Sequence, residues 1–248
     1  VQDKKGRWQP EGATGEIKRF LLPYVFGMLL MITIFVSSSY LLHGVVEEKE
    51  NRVIEIILSS VTPAELLNGK LIGLCAVGMT QLGVWVVVGL IPLASGIGPV
   101  ARFLHSLQIP PLTFIASFIY YILGFFLFAT LMAGLGLLGN SWKESQQWAS
   151  VPSFLAVIPV LFIPVIIDAP RGLVSRVLSY VPFTAPVTMM MRISLAEYNW
   201  IDLVVSISLL VVTILMVQRL SAKLFRLGSL LYGKRPSLPE VIRWLRQT

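Results

Sequence analysis

Long uncharged stretches alternate with short polar ones along this chain, and that alternation predicts helices long enough to cross a lipid bilayer. Between Arg19 and His43 lies an uncharged run of 23 residues, Phe20–Leu42, against the roughly 20 apolar residues that a spanning helix needs. Leu71–Pro92 gives a second run of 22 residues, with its helix starting near position 66. Leu112–Gly139 gives a third, and Trp148–Ile167 a fourth in which Pro159 and Pro164 predict a kink, because each lacks a backbone donor. The fifth runs about 200–220: Leu203–Gln218 is short, but Trp200 is expected to anchor one interface and Arg219 to snorkel at the other. Val177–Met191 is also apolar, yet it contains Pro182 and Pro186 and is flanked by Arg176 and Arg192. It predicts a re-entrant or interfacial pair of short helices, not a span.

One insert departs from this pattern. Glu47, Glu48, Lys49, Glu50 and Arg52 follow the first run, and at roughly 2.5 to 3.5 kcal/mol per charge at mid-bilayer such a block belongs in water or at the interface. Beyond it Val53, Ile54, Ile57, Leu58 and Val61 recur at helical spacing, with Glu48, Arg52, Glu55 and Ser59 on the opposite side. Glu48 and Arg52 form an i,i+4 pair in the favourable orientation. Thr62, Pro63 and Glu65 then write a capping box with proline at the first helical position. The reading is a surface helix over about 46–60, a sharp turn, and a new helix that enters the membrane. Gly69 and Gly73 stand at G-x-x-x-G spacing in that helix, with Gly78, Gly83 and Gly89 following, which predicts close helix approach in lipid.

Composition sharpens this to an all-α polytopic membrane protein: 55% of the 248 residues are hydrophobic and only 13% charged. The single cysteine, Cys75, excludes an intrachain disulfide and a thiolate metal cluster, and His43 and His105 lie in no metal-ligand spacing. The net charge of +7 points to anionic headgroups and topology control rather than to nucleic acid. Counting Lys and Arg in alternate connections sets Lys49, Arg52, Lys70, Lys143, Arg219 and the six of the tail against Arg102, Arg171, Arg176 and Arg192. The positive-inside rule therefore places the charged insert and the basic tail, 221–248, in the cytoplasm of a cell whose plasma (inner) membrane holds the spans. Residues 1–19, with Lys4, Lys5, Arg7, Lys18 and Arg19, run against the rule. They are read as the remnant of an outer domain or linker in a segment of a longer parent, whose translocated charges count for less.

Candidate chemistry is sparse. No G-x-x-x-x-G-K-[ST] occurs, since Gly69-Lys70 is followed by Leu71, so no nucleotide site is expected in this chain. Gln81, Ser38 and Thr130 are the candidate path-lining groups within the spans, with interhelical hydrogen bonding as their commoner use. No Asp, Glu or Lys lies mid-span to serve as a proton or cation relay. Met189–Met191 reads as apolar filler or as an adaptable contact surface.

The stretch EEKENRVIEIILSSVTPAELLNGKLIG, Glu47–Gly73, resembles the signature after the second span of type-2 export permeases of the ABC superfamily, which include sodium-extrusion permeases. PFTAPVTMMMRI, Pro182–Ile193, resembles the outer re-entrant segment before the last span of the same family. The two come in the family's order, and the span pattern from Phe20 onward is similar. A complete member has six spans and a large outer domain between the first and second, so the resemblance implies that this sequence starts after the first span and after most or all of that domain. The resemblance implies a permease subunit of an ATP-driven exporter, working as a homo- or heterodimer with separate ATP-binding subunits that hold ATP and Mg, the chain itself being no enzyme. It further implies a coupling helix at Glu47–Ser60, with Glu47, Glu48, Lys49, Glu50, Arg52 and Glu55 meeting the ATP-binding subunit and Val53, Ile54, Ile57 and Leu58 holding the helix to the permease body. Sodium, a drug, a peptide or a lipid all suit it as cargo.

Two rivals belong to other classes. Glu47, Glu48 and Arg52 match E-E-x-x-x-R, the opening motif of intramembrane CAAX-type proteases, whose paired glutamates activate water. Those enzymes need F-x-x-x-H and H-x-x-x-[ND] as well; here Ala101 stands four before His105, Ile109 four after it, and His43 has Ser39 before and Glu47 after. A channel or passive membrane scaffold is the other rival.

Overall fold

A computed structural model describes residues 13–51, 53–95, 111–136, 138–139, 141–195 and 197–228. Among them are nine helices and no strand: α1 (Ala13–Glu50), α2 (Val53–Leu58), α3 (Pro63–Ser95), α4 (Pro111–Gly136), α5 (Trp142–Leu161), α6 (Ile163–Asp168), α7 (Leu173–Tyr180), α8 (Ala185–Ser194) and α9 (Trp200–Gly228). Three stretches of the described residues are long and apolar enough to cross a membrane, Pro23–Lys49, Phe118–Gly136 and Trp200–Leu224. The segment 96–110, with Arg102 and His105, and the tail beyond 228 lie outside the described residues.

The first helix corrects the expected boundary. Instead of ending near Leu42, α1 runs unbroken through His43–Glu50. Glu and Lys are good helix formers, no proline interrupts the block, and the Asn51 amide donates to the Glu47 carbonyl to close the last turn. At 38 residues and 1.5 Å per residue it is about 57 Å long, well beyond a hydrocarbon core of about 30 Å. The surface helix is therefore divided: its charged half is the foot of α1, and its apolar half is the short α2. After the turn at Ser59–Val61, Thr62 and Glu65 form the predicted capping box. The Thr62 amide donates to Glu65 Oε2 at 2.8 Å, and the Glu65 amide to Thr62 Oγ1 at 3.3 Å.

α4 is the centre of the bundle, packing most heavily on α1 and α9. The fourth expected span is a broken helix: α5 stops at Leu161, Phe162 bridges, and α6 resumes with Pro164 in its first turn, where the missing amide costs nothing. α7 and α8 are the predicted helical pair, and every residue of α8 is buried, packed against α1 and α4. The turn between them goes deep, since Phe183 meets Phe128 of α4 edge-on at 6.3 Å. Met189–Met191 is fully buried there. Gly124 makes room for the pair: a Cβ at that position would stand 2.6 Å from Ile34 Cδ1 and 3.2 Å from Pro186.

The G-x-x-x-G reading needs correcting. A side chain on Gly69, Gly73 or Gly83 would meet nothing within 4 Å, whereas one on Gly78 would overlap the Tyr121 hydroxyl at 1.6 Å and approach Ser37 Oγ at 2.7 Å. The close approach of α3 to α1 and α4 thus rests on Gly78. Lipid is as apolar as leucine, so the hydrophobic effect adds little to helix association here, and such close packing carries it instead.

Candidate functional site

The two ends of the bundle carry the polar chemistry of the described residues. At the end that holds α2, the foot of α1 reaches several neighbours at once. Successive residues on a helix point about 100° apart, so Glu47, Glu48 and Lys49 face different partners. Glu47 is exposed and lies 3.5 Å from His43 one turn back, while the His43 ring sits 4.8 Å from that of Trp142 on α5. Glu48 forms a half-buried ion pair with Lys70 of α3. Lys49, only 7% exposed, donates to the Gly139 carbonyl at 2.9 Å, in the turn between α4 and α5.

That turn is itself fastened. Ser145 Oγ donates to the Gly136 carbonyl at 2.8 Å, and Ser141 caps α5 by accepting from the Glu144 amide. On the other side of the foot, Gln218 of α9 donates to Asn68 of α3 at 2.7 Å. Exposed Glu65 has its carboxyl held below the usual range, first by the backbone amide of Thr62 and then by its hydroxyl.

These positions change the expected roles of several residues. Lys49 was expected to face an ATP-binding subunit, but its ammonium is turned inward and satisfied by a carbonyl, because a buried charge needs a partner. Glu48 pairs with Lys70 across the elbow. Val53, expected to hold α2 against the bundle, is exposed; Ile56 is 73% exposed, while Ile57 is half-buried. Arg52 and the side chains of Glu50, Ile54, Glu55 and Leu58 lie outside the described residues. The exposed groups of this elbow are therefore Glu47, Asn51, Val53, Ile56 and the Ser59–Thr62 turn. Ser38 and Thr130 are fully buried with unpartnered hydroxyls, and Gln81 is half-buried.

At the opposite end lies a centre that the sequence reading missed. Arg192, counted above as a flanking charge, is completely buried at the end of α8 and ion-pairs with Asp202 in the first turn of α9. Its other terminal nitrogen donates to Ser179 Oγ at 2.9 Å, and Tyr180 donates to the second Asp202 oxygen at 2.6 Å. That bond, which Tyr180 makes with its proton in place, pushes its phenol above the ordinary value. The signal available in the sequence was an arginine straight after three methionines, followed ten residues later by an aspartate inside an apolar helix.

Comparison with known proteins bears on what this bundle is. The profile of the ABC-2 family transporter proteins matches residues 11–222. The chain belongs to the ABC-2 transporter family. Among its relatives, the uncharacterized protein MJ1024 of Methanocaldococcus jannaschii is 33% identical over 223 residues, covering 90% of this chain and 53% of the relative. The uncharacterized protein YhaP of Bacillus subtilis is 28% identical over 233 residues, covering 91% of this chain and 55% of the relative. The chain thus spans about half the length of these curated relatives. No solved structure matches. Family membership and the long apolar helices make the protein an ABC-2-type permease of a membrane.

Proposed function

We propose that this ABC-2 permease is the membrane subunit of an ATP-driven exporter, in which a separate ATP-binding subunit binds and hydrolyses ATP with Mg and drives the α1 foot and α2. The observation that carries the reading is the elbow itself. A helix about 57 Å long leads into a charged foot and then into a two-turn helix whose Ile56 is 73% exposed. An exposed apolar residue among charges, rooted between two long helices, suits a rigid peg in a protein cleft. Glu47 and Ile56 are contacts in this reading, joined by Glu50, Arg52 and Glu55 on sequence grounds. Ile57 anchors the elbow, joined by Ile54 and Leu58 on sequence grounds. Five membrane crossings are assigned to α1, α3, α4, α5 with α6, and α9, with the α7–α8 pair entering from the outer side. With Arg192 buried in an ion pair, the outer connections keep Arg102, Arg171 and Arg176, which supports a cytoplasmic elbow and tail.

Two permease copies face each other in the membrane, and alternating access carries the cargo, with Gln81, Ser38 and Thr130 the polar groups nearest to a path. The protease alternative loses support from the glutamates' directions: Glu47 turns to His43 and Glu48 to Lys70, so the two do not converge on one water. The test is ATPase activity of the full-length protein reconstituted with its ATP-binding subunit in lipid. Glu47→Lys and Ile56→Asp are each expected to weaken association and lower permease-stimulated hydrolysis while insertion is retained. Unchanged association and hydrolysis in both would overturn the docking role.

A further inference from the structure

Resting on the coupling role proposed for the elbow, we propose that Glu48 and Lys49 are positioning residues that tie both connections at this end of the bundle to the α1 foot, so that the α2 elbow and the α4–α5 turn move as one body. The two residues are adjacent in sequence and diverge in space. Glu48 reaches Lys70, eight residues into α3, and so closes the elbow made by residues 51–62 at its base. Lys49 reaches across 90 positions of sequence to the Gly139 carbonyl, which stands in the α4–α5 turn, outside both helices.

Each bond is sheltered and supported from its far side. Lys49 is nearly buried, with the Glu144 charge close by. Ser145 packs on Gly139 and bonds the last carbonyl of α4, so a pull on Gly139 is passed to the start of α5. The His43–Trp142 ring contact adds a second link between α1 and α5 two turns from Lys49. Force entering at the elbow therefore has two exits: through Lys70 into α3, and through Gly139 into α4 and α5. Without the Lys49 link, motion of the elbow would reach α5 through side-chain packing and the His43–Trp142 ring contact, which let helices slide.

The experiment uses the full-length protein with its ATP-binding subunit in lipid nanodiscs, with Cys75→Ser as background. Spin labels are placed at exposed Ser60 and Gln146, each measured against a third at Leu173 on α7, with and without ATP and vanadate. In the parent protein both distances change together. Lys49→Met is expected to abolish the change at Gln146 while leaving that at Ser60, and Lys49→Arg to restore both. Glu48→Lys is expected to uncouple Ser60 from nucleotide, and adding Lys70→Glu to restore it. If Lys49→Met does not fold, the parent co-movement and the exchanged pair decide the matter. A parent Ser60 label that moves while Gln146 stays still overturns the brace alone, as does Lys49→Met with both shifts intact. Absence of any nucleotide-driven change at Ser60 in the parent overturns the coupling role and the brace with it.

Discussion

Two ion pairs, one at each end of the bundle, hold helices together under opposite conditions. Arg192 and Asp202 are buried among α7, α8 and α9, where Arg192 also donates to Ser179 and Asp202 also accepts from Tyr180, while Arg192 Nε has no partner among the described residues. Glu48 and Lys70 are partly buried, with 26% and 19% of their side-chain surface exposed, at the base of an elbow whose neighbouring residues are exposed. A buried pair gives up a large solvation free energy and keeps its place only in one geometry, so it specifies an arrangement more than it adds stability. A partly exposed pair keeps some of its solvation, adds less to specificity, and can break and re-form as its helices shift. In the proposed mechanism the α7–α8 end is fixed architecture and the elbow transmits motion.

The sharpest break of that contrast is at the buried pair. Arg192→Met or Asp202→Leu alone strands a buried charge and is expected to cost about 3–5 kcal/mol in thermal unfolding of the purified protein. The double replacement Arg192→Met with Asp202→Leu should recover most of it. Next comes packing. Gly78→Ala must displace the Tyr121 ring or separate α3 from α1 and α4, and is expected to lower stability by about 1–3 kcal/mol. The same change at Gly73, which faces open space in this chain, should be nearly silent in the same assay. Glu48→Gln is expected to cost no more than about 1 kcal/mol, and yet to lower permease-stimulated ATPase activity. Equal stability losses at Glu48 and Asp202 would remove the distinction between the two ends.

The smallest effect is at the elbow's cap. The Glu65 carboxyl is held below its ordinary 4.5 by Thr62, so its contribution is complete above that value and disappears as pH falls through its lowered value in the folded protein. Amide exchange at Thr62 should therefore quicken only in acid, and Glu65→Gln should shift that acid dependence.

Much of this architecture was legible in the chain. Uncharged runs of bilayer length marked α1, α3 and α4, and a shorter run between Trp200 and Arg219 marked α9, because a lipid-facing helix has to be apolar around most of its surface. Thr62-Pro63-x-Glu65 marked the start of α3, and paired prolines with flanking arginines marked the α7–α8 pair. The inward turn of Lys49 was not legible. Adjacent charges look alike in sequence, and only the position of the α4–α5 turn decides which of them finds a buried carbonyl. Arg192 was hidden for a related reason, since its counter-charge comes from another helix and no local period records the pairing. Gly69 and Gly73 carried the motif while Gly78 carried the contact, because the face that a helix turns to its neighbours is set by the whole bundle. On the functional side, the stretch from Glu47 to Gly73 pointed to the family that the profile match establishes.

The central claim is that the elbow grips an ATP-binding subunit, and a photo-crosslinking amino acid placed at Ile56 in the full-length protein, in cells, tests it most directly. Light should yield one dominant adduct whose peptides come from an ATP-binding-cassette protein, the same residue should remain uncrosslinked when that subunit is deleted, and Trp85, exposed on α3, should give no such adduct. Adducts at Ile56 with lipid alone, unchanged by deletion of the subunit, would contradict the account.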